Sequence, residues 1–219
     1  MEKNKIVKIG CASAFWGDTS SAAPQLVYSG NIDYLVFDYL AEVTMSILAR
    51  AKLKNTDMGY ATDFVKHMSP LLTEVKKRKI KIISNAGGIN PEACRAAVIE
   101  EAKKAGVELN IALVKGDNLV EQKKQLQALP VTELETGQTM PDNVTSINAY
   151  LGAGGIRRAL EEGADMVITG RCVDSAVVLG PLMYEFGWKA DDYDLLAAGS
   201  LAGHIIECGA QCTGGNFTD

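Results

Sequence analysis

The sequence predicts an α/β fold, in which a mostly parallel sheet is flanked by helices in a doubly wound, Rossmann-like arrangement. Five short runs are nearly all apolar and rich in Ile and Val, at residues 6–9, 34–37, 80–83, 111–114 and 166–169. Strands that are buried on both faces have this composition. Helical patterns alternate with these runs, which is typical of βαβ units. An incomplete TIM-like barrel is the alternative arrangement of the same units.

The predicted helices occupy residues 41–53, 63–77, 91–105, 118–128, 156–162 and 193–207. Pro70 is expected either to begin a first turn or to break the second of them. Gly106 and Gly163 are suited to end two others. Residues 130–143 have no clear period and contain two prolines and a glycine, so we expect a long loop there. We predict a single α/β domain over residues 1–219.

The composition excludes several classes of partner. The chain has 219 residues and a net charge of −5, and this acidic balance disfavours binding to nucleic acid. No apolar run approaches the roughly 18 residues of a membrane span, and the polar start does not suit a secretory signal. Five cysteines at irregular spacing suit reduced thiols. We therefore expect a cytoplasmic protein without a membrane or nucleic-acid partner.

The segments that follow the five runs carry polar residues and glycines. In an open parallel sheet, ligands bind beyond the carboxyl ends of the strands. If the strands are parallel, these segments meet at one rim, and such convergence is what distinguishes a site from scattered turns. The candidates at this rim are Glu42, Asn85, Gly87, Gly88, Asn90, Gly116, Asp117, Gly170, Arg171 and Asp174.

Each candidate also has a structural explanation. Gly87 and Gly88 would let a backbone approach an anion at a helix start, although G-x-G-x-x-G and Walker A motifs are absent from the sequence. Asn90, Asn118 and Asp174 are equally explained as helix caps. The sequence leaves both interpretations open.

Arg171 stands directly after an apolar strand and a glycine. A guanidinium at such a place needs a carboxylate or a phosphate. Arg171 therefore binds an anionic ligand or forms a structural pair with Asp174, Asp117 or Glu42. Glu42 is correspondingly a general base or the partner of Arg171.

His204, Cys208 and Cys212 are spaced at i, i+4 and i+8, on one face of a helix if the helix continues. His and Cys at this spacing could bind zinc, or form a Cys–His nucleophile pair. Gly209 interrupts the helix, and buried thiols are common in cores. Zinc is the one cofactor that the sequence suggests, and otherwise the cofactor is unassigned.

Several long blocks resemble, in this order, the acyclic terpene utilisation family typified by AtuA. They are "DYLVFDYLAEVTM", "SNAGGINP", "VKGDN", "INAYLGAGGI", "ADMVITGRCVDSAVVLGPLMYEFGW" and "LAAGSLAGHIIECGAQCTGGNFTD". The resemblance covers residues 9–219. It implies catabolism of branched acyclic compounds such as citronellol and geraniol, by routes that pass through acyl-CoA thioesters. Family members are longer, so it also implies the amino-terminal part of a longer protein. No reaction follows from it.

The same blocks contain the rim candidates, and they add Asn148, His204 and Glu207. We therefore expect an enzyme that acts on a small branched carboxylate or acyl-CoA by hydration, hydrolysis or C–C cleavage, since no nicotinamide or ATP motif is present. The expected acids and bases are Glu42, Asp117, Asp174 and His204. The expected substrate-binding residues are Asn85, Gly87, Gly88, Asn90, Gly116, Asn148, Gly170 and Arg171.

Two further expectations concern partners. The ligand is expected to be a small anionic metabolite or an acyl-CoA, and a homo-oligomer is one expected state of the protein. The alternative to an enzyme is a non-catalytic ligand-binding protein, or a partner subunit of a catabolic complex.

Overall fold

A computed structural model describes residues 5–213 of the chain. Its five strands are β1 (Ile9–Cys11), β2 (Tyr34–Phe37), β3 (Lys81–Ser84), β4 (Ile111–Val114) and β5 (Met166–Thr169). They form one sheet in the order β1-β2-β3-β5-β4, and every neighbouring pair is parallel. The predicted α/β class and parallel sheet are confirmed.

Helices connect and follow the strands. They are α1 (Ala22–Ser29), α2 (Glu42–Lys54), α3 (Thr62–Met68), α4 (Leu72–Arg78), α5 (Pro91–Lys104), α6 (Lys123–Gln127), α7 (Gly154–Glu161), α8 (Ala176–Phe186) and α9 (Tyr193–Glu207). Short 3₁₀ turns occupy Ser69–Leu71, Val120–Gln122 and Gly209–Thr213. Among residues 5–213, no helix is both long enough and apolar enough to cross a membrane.

Three elements differ from the prediction or refine it. The first strand was predicted at residues 6–9, but β1 begins at Ile9, which pairs with Tyr34, and Ile6 is 75% exposed. The predicted helix of residues 63–77 is broken at Pro70, where a 3₁₀ turn separates α3 from α4. Helix α1 was not predicted. Its Pro24 lies in the first turn, where the missing N–H has no helical partner to lose, so the proline does not end the helix.

Helices cover both faces of the sheet. Alternate strand residues enter two cores: Leu35, Phe37 and Ile82 pack with helices α1 to α5, whereas Val36, Ile83 and Val167 pack with α7 to α9. This is the doubly wound arrangement, and β1 and β4 form the sheet edges within the described residues.

The strand order places a crevice at the carboxyl ends of β3 and β5. These strands are neighbours, but the chain leaves β3 for α5 on one face and leaves β5 for α8 on the other. Connections that depart to opposite faces open a crevice between the two strand ends, and ligands of open α/β sheets bind in such crevices. Asn85 follows β3 and Arg171 closely follows β5, so both predicted residues lie at this end of the sheet.

Candidate functional site

Asp38 is the first residue after β2 and is 2% exposed. One of its oxygens, Oδ1, accepts hydrogen bonds from Nδ2 of Asn85 at 2.5 Å and from the backbone N–H of Leu40 at 3.3 Å. Asn85 is itself fixed, because its Oδ1 accepts from the backbone N–H of Tyr39 at 2.8 Å. The residue after β3 therefore orients the carboxyl group after β2.

Three carboxyl groups meet at this end of the sheet. Oxygens of Asp38, Asp174 and Glu207 lie within 4.8 Å of one another. Asp174 precedes α8, and Glu207 is the last residue of α9 and is buried. The cluster thus joins side chains that are far apart in the sequence and that only the folded chain brings together.

Burial and charge change the acidity of this cluster. Burial raises the pKa of Asp38 to about 7, the bond from Asn85 opposes this, and the charges of Asp174 and Glu207 raise it further. Burial also raises the pKa of Glu207, and the charge of Asp174 adds to it. Neighbouring acids of this kind titrate as a pair. The Asp38–Glu207 pair therefore retains a proton near neutral pH.

The spacing of the three carboxyl groups suits either a shared proton or the oxygen ligands of a divalent cation. Arg171 donates to Asp174 at 2.7 Å, so this carboxylate is already paired with a positive charge. The raised pKa of Asp38 and of Glu207 favours a shared proton on the other two carboxyl groups. We therefore interpret the cluster as a proton-holding site.

Arg171 is 4% exposed at its side chain. Its Nη1 donates to Asp174 Oδ1 and, at 3.0 Å, to the carbonyl of Cys172. Its Nη2 lies 3.6 Å from Glu42 Oε1, and the Tyr150 ring centre lies 4.0 Å from its Cζ. Burial is the largest single influence and lowers the pKa of Arg171, but the contacts with Asp174 and Tyr150 together outweigh it, so the pKa is raised. The structure thus contains the predicted pairs with Asp174 and Glu42.

Asp117 braces the ends of β4 and β5. Its Oδ2 accepts from the backbone N–H of Arg171 and from Nδ2 of Asn148, each at 2.9 Å, and its carbonyl accepts from the backbone N–H of Ala149 at 2.7 Å. Gly170 is required beside it, since a Cβ there would lie 2.4 Å from Asp117 Oδ1. The geometry engages Asp117, Asn148 and Gly170 within the protein, and their predicted roles towards a substrate stay predictions.

Gly87 and Gly88 lie against protein atoms. A Cβ on Gly87 would lie 2.5 Å from the carbonyl oxygen of Thr169, at the end of β5. Gly88 has a φ of +54°, and a Cβ on it would lie 2.5 Å from Leu48 Cδ1. Close packing against Thr169 and Leu48 therefore explains both glycines without a ligand.

Asn90 and Gly116 occupy different environments. Asn90 caps α5 through the N–H of Ala93 at 3.4 Å, and its Nδ2 donates to the carbonyls of Thr56 and Met58 at 2.8 and 2.9 Å. The cap interpretation of Asn90 therefore fits. Gly116 has a φ of +123° and is exposed, and a Cβ on it would have no described atom within 4 Å beyond its chain neighbours.

His204 and Cys208 both approach Glu207, whereas Cys212 has a different partner. The His204 side chain is 76% exposed, and its Nδ1 lies 3.6 Å from Glu207 Oε1. Cys208 donates to the same oxygen at 3.4 Å, whereas Cys212 donates to the carbonyl of Ile205 at 2.7 Å. Because α9 ends at Glu207, the predicted helical face does not continue to Cys212. Zinc at these residues stays a prediction.

A comparison of the sequence with models of known protein families gives a match that includes every residue at this rim. The model of the acyclic terpene utilisation family protein AtuA matches residues 7–219. The chain belongs to this family. The resemblance found in the sequence blocks is thereby confirmed, and membership indicates a role in acyclic terpene utilisation. No curated protein matches the chain.

Sequence reasoning assigned no role to Asp38 and singled out Glu207 only through the family blocks. The signal for Asp38 was present, because an acidic residue directly after the apolar run "YLVF" is as unusual as Arg171 after its strand. Glu207 gives no comparable signal, since it reads as an ordinary helix residue. Its place beside Asp38 depends on how α9 packs against β1.

Proposed function

We propose that this family member is an enzyme that uses the Asp38–Glu207 pair as acid and base on a small branched carboxylate or its CoA thioester. The reaction class is hydration, hydrolysis or C–C cleavage. One observation carries the proposal: a buried aspartate at the carboxyl end of a central parallel strand lies within 4.8 Å of two further carboxyl groups.

The chemistry of these reactions suits the pair. Each of them moves a proton to or from an atom near a carbonyl group, and a general acid or base works best when its pKa lies near the operating pH. Asp38 meets this condition, because its pKa is raised to about 7. Asn85 holds the carboxyl in one orientation, which lowers the cost of placing the proton. Glu207 is the group with which the proton is exchanged.

The location and the family support the substrate class. The pair lies at the carboxyl end of the sheet, one strand from the crevice between β3 and β5 where ligands of this architecture bind. Arg171 supplies a guanidinium at the same rim, the side-chain group that binds carboxylates through paired hydrogen bonds. A role in acyclic terpene utilisation favours a branched carbon chain.

The test is turnover of citronellate, geranate and their CoA thioesters by Asp38→Asn and Glu207→Gln. We expect each substitution to lower turnover by roughly 10²–10⁴-fold, since this is the usual contribution of acid–base catalysis. We also expect the pH dependence near neutrality to disappear. Asp57→Asn, at an exposed loop position, is the matched control and should keep full activity.

Two results would count against the proposal. Full turnover by Asp38→Asn would remove the pair from the chemistry. Binding of these compounds by the wild-type protein without any turnover would favour the alternative, a non-catalytic ligand-binding protein.

A further inference from the structure

Arg171 has a hydrogen-bonding edge that no described residue uses. Its Nη1 is occupied by Asp174 and by the carbonyl of Cys172. Its Nε is buried and has no acceptor among residues 5–213. Its Nη2 has Glu42 at 3.6 Å, too far for a hydrogen bond. Nε and Nη2 together form the side of a guanidinium that binds a carboxylate through two parallel hydrogen bonds.

A buried charged donor without an acceptor is unfavourable, and such groups are rare in native proteins. Among the described residues, the other buried side-chain atom without a partner is the hydroxyl of Tyr39. Packing alone would be satisfied by an uncharged side chain at this position. An arginine is less favourable, because its buried charge needs Asp174 as a partner. The unused edge is therefore a feature that needs a ligand to explain it.

Glu42 and Tyr150 are the two exposed side chains next to this edge, Glu42 near Nη2 and Tyr150 on the face of the guanidinium. The Tyr150 ring stacks on the guanidinium, and the Tyr150 hydroxyl donates to Glu42 Oε1. Both side chains are accessible: Glu42 is 77% and Tyr150 49% exposed. Glu42 adds a second, exposed carboxylate beside Arg171 without completing the two hydrogen bonds, so it is replaceable by an anion that does complete them.

We propose that the Nε–Nη2 edge of Arg171 binds the carboxylate of a small ligand, which displaces the Glu42 carboxylate while Tyr150 moves aside as a cover. This inference rests on the proposed function for its substrate class. Charge balance selects the ligand. A monoanion that replaces Glu42 leaves two carboxylates around one guanidinium, as now, whereas binding without displacement would leave three.

The binding experiment measures a signal from Arg171 itself. The Nε–H resonance of Arg171 is followed by ¹⁵N–¹H NMR in the full chain, during titration with isovalerate and, as its uncharged isostere, isovaleramide. We expect isovalerate to move this resonance saturably, as a hydrogen bond to Nε requires, and isovaleramide to leave it unchanged. Inorganic phosphate, titrated in parallel, reports whether the edge prefers a dianion.

Variants test the displacement. Glu42→Gln and Tyr150→Phe each weaken the cover, so both should tighten isovalerate binding several-fold. Glu121→Gln, an exposed acid elsewhere, is the control and should not change the affinity. Arg171→Lys removes the two donors Nε and Nη2 and should weaken isovalerate binding at least tenfold. If this variant does not fold, the titrations of wild type and Glu42→Gln still test the proposal.

The outcomes separate this inference from the proposed function, because they measure binding and not turnover. An unmoved Nε–H resonance at saturating isovalerate overturns it, even if Asp38-dependent turnover is found. A response to phosphate alone overturns the carboxylate class. Weaker binding by Glu42→Gln overturns displacement. A saturable response with tighter binding by Glu42→Gln supports the inference even if Asp38 proves inactive.

Discussion

Replacing Asp38 by Asn removes the buried proton site but keeps an acceptor oxygen for Asn85 and Leu40. The introduced amide also resembles the protonated acid, because both carry a hydrogen-bond donor beside an acceptor oxygen. The substitution therefore changes charge with little change in shape. We predict that its effect on stability depends strongly on pH.

The raised pKa of Asp38 determines whether its contribution to stability rises or falls with pH. Below about pH 4, Asp38 is protonated in both the folded and the unfolded protein and does not favour either. Between pH 4 and 7 the unfolded state loses its proton while the folded state keeps it, so the contribution of Asp38 to stability falls as pH rises. A change from 3.8 to about 7 corresponds to at most about 4 kcal/mol. Asn has no such dependence.

The assay is urea unfolding of wild type and Asp38→Asn at pH 4.5 and pH 8.5, with Asp57→Asn as the control. We expect the free energy of unfolding of the variant, relative to wild type, to be higher at pH 8.5 than at pH 4.5 by about 2–4 kcal/mol. The control should show the same difference at both pH values. An equal effect of Asp38→Asn at the two pH values would refute a raised pKa, and with it the proton-holding pair.

Two predictions concern the packing of the rim. Gly87→Ala should lower the free energy of unfolding by about 1–3 kcal/mol, because its Cβ would overlap the carbonyl of Thr169. Gly152→Ala should have little effect, because its Cβ would meet no described atom within 4 Å beyond its chain neighbours. Equal effects of the two substitutions would mean that the turn after β3 adjusts freely. Asp117→Ala should lower the free energy of unfolding by about 2–4 kcal/mol, because it leaves the backbone N–H of Arg171 without an acceptor. The control Asp142→Ala, at an exposed position, should lower it by less than about 0.5 kcal/mol. Stability unchanged by Asp117→Ala in thermal or urea unfolding would show that the brace is not needed.

The sequence was sufficient for β2 to β5, because a parallel strand buried on both faces has an almost wholly apolar composition that few other elements share. It misplaced β1, whose three residues include Gly10 and Cys11. The sequence also located the rim, since the residues that follow parallel strands all lie at the carboxyl end of the sheet. It could not give the strand order. That β5 lies between β3 and β4, and so brings Arg171 towards Asn85, depends on how α5 and α7 pack on opposite faces.

The roles of particular residues were harder to predict for two physical reasons. A glycine that permits close approach gives the same signal whether a ligand or protein fills the space, and at Gly87 the carbonyl of Thr169 fills it. A carboxyl group changes its acidity only through neighbours that are distant in sequence, as Glu207 is from Asp38. The carboxyl cluster therefore exists only because α9 packs beside β1.

The acidity of Asp38 tests the account most directly. Side-chain carboxyl groups can be labelled with ¹³C and their chemical shifts followed by NMR as the pH is raised, with Asp38 assigned from its Asn variant. We predict that Asp38 titrates near pH 7 and that Glu207 titrates above its ordinary pKa. Titration of both carboxyl groups at the ordinary values, close to pH 4, would contradict a proton-holding pair and the acid–base function built on it.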